Sequence, residues 1–445
     1  MYRARGTGVP LYPSVVDSNR LLIMESRFFP DLAINSIGKW FAKSRTRSRT
    51  SSSRELWSLL ALNFFMADMQ SGIGPFLGVF LLGRGWDSGL IGTAMTIGSV
   101  AGMLITIPIG GLIDTTNFKR AWVIVPGICV VGASAIILLS QHFWVVAGSQ
   151  VATAIAGAAI VPAVTGITLG IVRQRGFNRQ IGKNQAFNHA GNVVGAALSG
   201  YLGWTFGYTA VFGLAAAFGI VSIVCVLMIP PKSIDNRAAR GTSEDDPDSQ
   251  PNASYVLLTH KPLLVLSLAL AAFHLGNAAI LPLYGLAAVA TNGADGPSFV
   301  AATVVIAQAV MVIVSIVAMR VAEKRGYWPI LLVSFAALPF RGVLAYFFVG
   351  WLGVIPVQIL DGVGAGLQSV AVPGLVARAL NGTGRINLGQ GAVLTVQGLG
   401  ASLSPLLGGW IAQTAGYNAA FLLLGSFGLV SVGLWIAYAR LMKNY

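Results

Sequence analysis

The 445-residue chain is 55% hydrophobic, only 10% charged, and carries a net charge of +14. Apolar runs of about 20 residues recur along most of it, which soluble domains do not show. This excludes a soluble enzyme, places the chain in lipid, and leaves topology rather than a nucleic-acid partner to explain the basic excess.

Residues 1–54 come first, with ten of the 29 Lys and Arg. Their low-complexity stretch "KSRTRSRTSSSRE" reads as a basic cytoplasmic arm on anionic lipid. Phe28, Phe29, Leu32, Ile34, Ile37, Trp40 and Phe41 could form an interfacial helix before it. No apolar run with a small-residue cleavage site is present there, so no cleaved leader is expected, and Met24 offers an alternative start.

Runs of spanning length then predict helices near residues 56–82, 88–113, 121–140, 143–172, 186–206 and 208–229. A second set falls near 262–290, 298–320, 329–349, 352–380, 390–414 and 417–439. The runs are continuous rather than alternating, which favours helices over a barrel. The 54 glycines suit helices that approach backbone to backbone. The expectation is an all-α integral membrane protein, twelve transmembrane helices in two six-helix halves at 55–229 and 262–445. Residues 230–261 form a polar cytoplasmic linker whose "NAS" sequon carries no meaning on that side of the membrane.

The basic residues fall almost entirely on one side. Fifteen lie in the connections that share the arm's side, Arg440 and Lys443 join them from the tail, and Arg84 is alone on the other face. By the positive-inside rule both termini are cytoplasmic. Cys129 and Cys225 lie in apolar spans without metal or pairing spacing, and read as buried packing residues.

The halves repeat each other. A shift of 209 residues aligns Gly200, Gly207, Tyr208, Ala210, Phe212, Gly219 and Ser222 with Gly409, Gly416, Tyr417, Ala419, Phe421, Gly428 and Ser431. A shift of 208 aligns the two "LAL" triplets at 60–62 and 268–270. Duplicated halves of this kind hold substrate between them near mid-membrane in many secondary transporters.

Between the second and third spans lies "GGLIDTTNFKR", with Gly110, Asp114, Lys119 and Arg120. It resembles the signature loop of the major facilitator superfamily. Thr115 stands where that pattern has a basic residue, and Asn117 where it has a Gly whose left-handed turn Asn can share. A degenerate copy, "RVAEKRG", places Glu323, Lys324 and Gly326 between the eighth and ninth spans. The resemblance covers residues 55–442 and implies a major-facilitator-type fold, two pseudo-symmetric halves, alternating access, and a cavity lined by spans one, four, seven and ten. It also implies a gate: Asp114 accepting from a helix N-terminus of the other half while Lys119 and Arg120 grip a carboxylate.

Gly182, Gly191, Gly195, Ala196, Ser199 and Gly200 in span five, and Gly391, Gly400, Ser404, Pro405, Gly408 and Gly409 in span eleven, resemble the antiporter signature of drug and metabolite exporters. Span five lacks the proline of that pattern, and the better copy is in span eleven. Close helix packing inherited by duplication explains the same spacing, so efflux is favoured only mildly.

Ionisable groups within spans are costly and point to function. They are Asp68, His189, His274, Arg341 and Asp361. Asp68, with no cation nearby in its own helix, suits a carboxylate that loads a proton on one side and releases it on the other; Gln70 adds polarity beside it. Arg341 and Asp361 fall at similar depth in adjacent helices and are expected to pair structurally, which lowers Asp361 as a proton carrier. Gln185, Asn188, His189 and Asn192 share a helix face and offer donors and acceptors to a ligand, with His274 as an additional candidate. Gln150, Gln308, Gln358 and Gln368 supply more hydrogen bonds, and Phe64, Phe65, Phe76 and Tyr284 apolar walls.

The inventory holds no phosphate-cradling loop, no zinc-protease pair and no metal-ligand spacing, so neither enzyme, metal nor cofactor is expected. The predicted function is proton-coupled export of a small organic molecule across a bacterial inner membrane by a monomer driven by a proton or other ion gradient. Proton-coupled uptake is the alternative, and a carrier-shaped sensor or scaffold the third reading.

Overall fold

A computed structural model describes residues 53–71, 73–239, 260–380 and 386–443. The expectations for residues 1–52 and for the sequon fall outside these. Among the described residues every regular element is helical.

In chain order the helices are α1 (Ser53–Ser71), α2 (Ile73–Leu82), α3 (Ser88–Thr115), α4 (Ala121–Leu139), α5 (Phe143–Phe206), α6 (Tyr208–Leu227) and the short α7 (Asn236–Ala239). The second half follows as α8 (Lys261–Asn277), α9 (Ile280–Asn292), α10 (Gly296–Arg325), α11 (Trp328–Phe347), α12 (Trp351–Ala379), α13 (Ile386–Ala415), α14 (Tyr417–Ala437) and the short α15 (Ala439–Met442). Ten stretches of the described residues are long and apolar enough to cross a membrane, α8 and α9 counting as one. The α1–α2 pair and the second arm of α5 supply two further passes, which completes twelve.

α5 is two passes joined at an elbow. Its helical geometry fails at Arg173, where φ is 56° and ψ 178°, a region that only glycine enters easily. The fifth pass therefore begins twelve residues before the predicted 186. The polar run from Gln174 to Gln185 hid it, because the helix continues beyond its apolar part.

The seventh pass is interrupted between α8 and α9. Interrupted helices in a membrane leave backbone groups without partners, tolerated only where protein or a cavity satisfies them. At this break the Ala279 N–H donates to Ser404 Oγ at 2.9 Å.

One turn of the repeat is legible in backbone angles. Gly207 and Gly416, each just before the last pass of its half, have φ of 78° and 89°, where an L side chain is strained. Asn117 is different from its expectation: Arg173 is the one described non-glycine residue with positive φ, so Asn117 takes no left-handed turn.

The halves share a core at the end opposite the basic loops. Phe76, Phe80, Ile91, Val211 and Phe212 of the first half belong to one buried cluster with Leu283, Leu286, Phe299 and Val300 of the second. A smaller cluster around Leu59, Ile113, Val123, Ile160 and Ile167 belongs to the first half alone. Phe76 and Tyr284, expected as cavity walls, lie in the shared core. Cys225 is buried as expected, whereas Cys129 is exposed on the outer face of α4, where lipid replaces protein packing.

Candidate functional site

A cavity of about 340 Å3 lies between α8, α12 and α13, in the part of the bundle nearer the basic loops. His274, Gln368, Ser369, Gln390 and Gln397 give it polar lining, beside Val372 and Leu394. Every one of these polar groups is an amide, a hydroxyl or an imidazole. The wall itself is mostly apolar, and these residues can add a few directed hydrogen bonds to a ligand without a fixed charge.

Gln368 is held from both ends. Its Nε2 donates to Ser334 Oγ at 2.9 Å, and its Oε1 lies 3.1 Å from His274 Nε2. Ser334 in turn donates to the Gly364 carbonyl at 2.9 Å. This chain ties α8, α11 and α12 together and fixes the orientation of two groups on the cavity wall.

One turn along α8 from His274 stands Asn277, the last residue before the break. Arg341 Nη1 donates at 2.7 Å to Asn277 Oδ1 and lies 2.7 Å from Asp361 Oδ1. Asn277 Nδ2 donates to the same carboxylate at 3.2 Å, and Arg341 Nη2 reaches Gln358 Oε1 at 3.4 Å. The Arg341 side chain is 1% exposed and Asp361 14%. A guanidinium inside a bundle requires such a counter-charge, and losing either partner would strand the other in low dielectric. The second-half break is thus braced by an ion pair and an amide.

The span-five residues are arranged otherwise. Asn188 donates to the Asn63 carbonyl of α1 at 3.3 Å, Asn192 to Asn188 at 3.4 Å, and His189 Nδ1 meets Gln308 of α10 at 2.9 Å, a bond between the halves. Gln185 is exposed. None of these four lines the cavity. Asp68 and Gln70 sit in the last turn of α1, with side chains outside the described residues, as is that of Asp114.

The basic pair of the loop after α3 binds helix ends of its own half. Lys119, 1% exposed, donates from Nζ to the Ile113 carbonyl at 2.8 Å, and Arg120 Nη2 to the Leu227 carbonyl at 3.0 Å. Cations at helix C-termini meet the negative end of the dipole and unpaired carbonyls. Both of these bonds go to backbone carbonyls. In the repeat copy Glu323 and Lys324 are exposed, and Gly326 has φ 73°, ending α10. Gly110 has open space where a Cβ would stand.

The antiporter-like glycines form two related sets of close approaches. A Cβ at Gly191 would strike the Phe64 carbonyl of α1, and one at Gly400 the Ala271 carbonyl of α8. Nine residues on, a Cβ at Gly200 would strike Ala301 of α10, and one at Gly409 the Ser88 carbonyl of α3. So the first glycine of each set packs within its half and the second packs across to the other. Gly408 packs on Ala279 and Leu283, and Gly195 is buried. Around Pro405, Leu406 N donates to Thr96 Oγ1 at 2.9 Å, Ser88 Oγ to the Gly409 carbonyl at 3.2 Å, and Trp410 Nε1 to Thr93 Oγ1 at 3.0 Å. These contacts close the end of the bundle opposite the basic loops.

Sequence reading singled out His274 but not Asn277, Ser334, Ser369 or Gln390. The spacing of His274 and Asn277 on one helix face was the available signal; the others become visible only when three helices meet.

The family model of the Major Facilitator Superfamily matches residues 57–387. Two curated relatives from Mycobacterium tuberculosis, the uncharacterized MFS-type transporters MT2531 (strain CDC 1551 / Oshkosh) and Rv2456c (strain ATCC 25618 / H37Rv), are each 39% identical over 82% of this chain and 88% of their own length. Among solved structures, the nucleoside transporter NupG matches with a TM-score of 0.66 at 13% identity, covering 88% of this chain and 98% of that one. A mutant form of NupG matches with a TM-score of 0.69 at 12% identity, over 86% and 98%. At such identities the likeness concerns the fold. The chain belongs to the major facilitator superfamily: it is a multi-pass membrane transporter of a small molecule, not an enzyme.

Proposed function

We propose that the chain is a proton-coupled carrier that exports a small, uncharged, hydrogen-bonding organic molecule by alternating access. The observation that carries this reading is the cavity of about 340 Å3, whose wall is mainly apolar and whose polar residues are all neutral. Such a lining favours an uncharged organic ligand held by apolar contact and a few hydrogen bonds, and without a cation or arginine cluster it offers nothing to a phosphate. The contacts of α3 with α13 and of α5 with α10 close one end, while the cavity lies toward the other. With the basic loops on the cytoplasmic side of a bacterial inner membrane, this is a conformation that takes up its load from the cytoplasm.

Coupling is assigned to Asp68. Asp361 is engaged by Arg341 and Asn277, so a proton arriving there would break a buried pair, whereas Asp68 has no cation near it on its own helix. No cofactor is needed beyond the ion gradient, and a single copy contains both halves. The antiporter-like spacing of the glycines supports export. A second reading, uptake of a nucleoside-like compound, rests on the likeness to NupG together with the amide-rich lining.

Flux in proteoliposomes under an imposed proton gradient separates the two. A metabolite and nucleoside panel is screened with wild type, Asp68→Asn and Gln368→Ala. Movement against the proton flow, lost in Asp68→Asn, supports export. Movement with the proton flow replaces it by uptake, and an unimpaired Asp68→Asn carrier removes Asp68 from the mechanism.

A further inference from the structure

The bonds joining His274 to Gly364 have a direction that is set from the Gly364 end. A peptide carbonyl can only accept, so Ser334, whose Oγ lies 2.9 Å from the Gly364 oxygen, commits its hydrogen there. The Ser334 oxygen can then only accept from the amide 2.9 Å away, which makes the facing Gln368 atom its nitrogen. The opposite end of that amide is the carbonyl oxygen, 3.1 Å from His274 Nε2, and it needs a hydrogen from the ring. His274 therefore carries a proton on Nε2.

A second proton on the ring would make it a cation. None of the residues lining the cavity is an acid, and Asp361 is paired with Arg341. The ring is accordingly neutral and leaves a lone pair on Nδ1. His274 lines the cavity, and among the described residues Nδ1 neither makes a bond nor is enclosed as an unpaired buried atom.

We infer that His274 Nδ1 is the hydrogen-bond acceptor for the transported molecule, which is an uncharged compound presenting an N–H or O–H donor there, such as an imide, a lactam or an alcohol. Gln390 and Gln397 line the same cavity and can meet flanking carbonyls or further donors of such a compound. His274 thus selects by donor: a ligand methylated at that nitrogen leaves the acceptor unpaired and also has to fit the added methyl. The inference rests on reading the cavity as the transport site, and extends that reading to one atom.

The test uses the full chain in lipid nanodiscs with 15N-labelled histidine, the resonance being assigned by its loss in His274→Gln. That substitution places an amide near the Nε2 position, toward Gln368, but no atom at Nδ1; His274→Asn places an acceptor near Nδ1. Probes are N–H compounds and their N-methyl partners, uridine and its imide-N-methyl derivative among them. Expected are a neutral ring protonated on Nε2, an Nδ1 resonance moved by an N–H compound, and a preference for it of at least about tenfold over its N-methyl partner. That preference disappears in His274→Gln and is partly kept in His274→Asn. A ring protonated on Nδ1, or on both nitrogens, at neutral pH overturns the inference. An Nδ1 resonance that no N–H compound moves, or that both partners move equally, overturns it as well. If the tautomer and the preference hold but no proton gradient drives flux, the carrier reading alone fails.

Discussion

Glycines and polar groups are treated differently by the repeat. Gly191 and Gly400 each press against a carbonyl of the first helix of their own half, and Gly200 and Gly409 each cross to the other half. Around the interrupted seventh pass the second half assembles an ion pair, an asparagine at the break and an oriented chain leading to a cavity. Several described polar groups of the first half go instead to backbone carbonyls and to each other, as in Asn63 to Leu59 and Gln180 through Asn184 to Thr168. Backbone approach is set by helix geometry, which duplication copies. Side-chain chemistry is free to diverge once packing is satisfied, so chemistry is better sought where the repeat is broken than where it is kept.

The strongest way to test the asymmetry is Arg341→Met. It leaves Asp361 and Asn277 facing an apolar side chain, at an expected cost of about 3 to 5 kcal/mol. Adding Asp361→Asn removes the stranded charge and restores part of that loss. Asn188→Ala in the first half removes one bond to a carbonyl and a long one from Asn192, and costs about 1 kcal/mol. Thermal unfolding in one detergent compares all three, and equal losses for Arg341→Met and Asn188→Ala would refute the asymmetry. Next in size are Gly191→Ala and Gly400→Ala, each forcing a methyl against backbone that cannot bend away, at about 1 to 3 kcal/mol. The repeat requires the two losses to match, and a tolerated alanine at either site would show that the approach is not shared.

Most of the architecture could be read from the sequence because apolar length and basic asymmetry are properties of the chain itself. Twelve passes, the two halves and the glycine spacing were all accessible that way. The start of the fifth pass was not, since Gln174 to Gln185 is polar yet helical. The depth argument placed Arg341 beside Asp361, because adjacent antiparallel helices of known length leave little freedom. The cavity lining was the least legible part. A glutamine such as Gln390 has no sequence context that marks it, and its neighbours His274 and Gln368 come from two other helices. The span-five cluster has the pattern of a ligand face, yet its groups are used in holding α5 to α1 and α10. A polar helical face is as well satisfied by a neighbouring carbonyl as by a substrate.

Smaller effects sharpen the comparison at the ends of the passes. Ser404→Ala removes the hydroxyl that accepts from the Ala279 N–H at the break, and is expected to cost about 1 kcal/mol. Hydrogen exchange at Ala279 should rise in that variant while exchange within α14 stays unchanged. An unaltered rate would mean that another group takes over the amide.

The smallest effect concerns the elbow of α5. Arg173 holds its positive φ beside an exposed ion pair with Asp235, 3.0 Å away, and the repeat places Gly382 at the related position. An exposed pair contributes about 0 to 1 kcal/mol, and salt weakens it. Backbone strain at a non-glycine residue is of the same order or somewhat larger. Arg173→Gly therefore trades one for the other and should change stability little. Made on an Asp235→Asn background, where the pair is already gone, the same substitution relieves strain at no electrostatic loss and should raise the melting temperature. If Arg173→Gly destabilises the protein equally with and without Asp235, the elbow is held by the arginine side chain rather than strained by it.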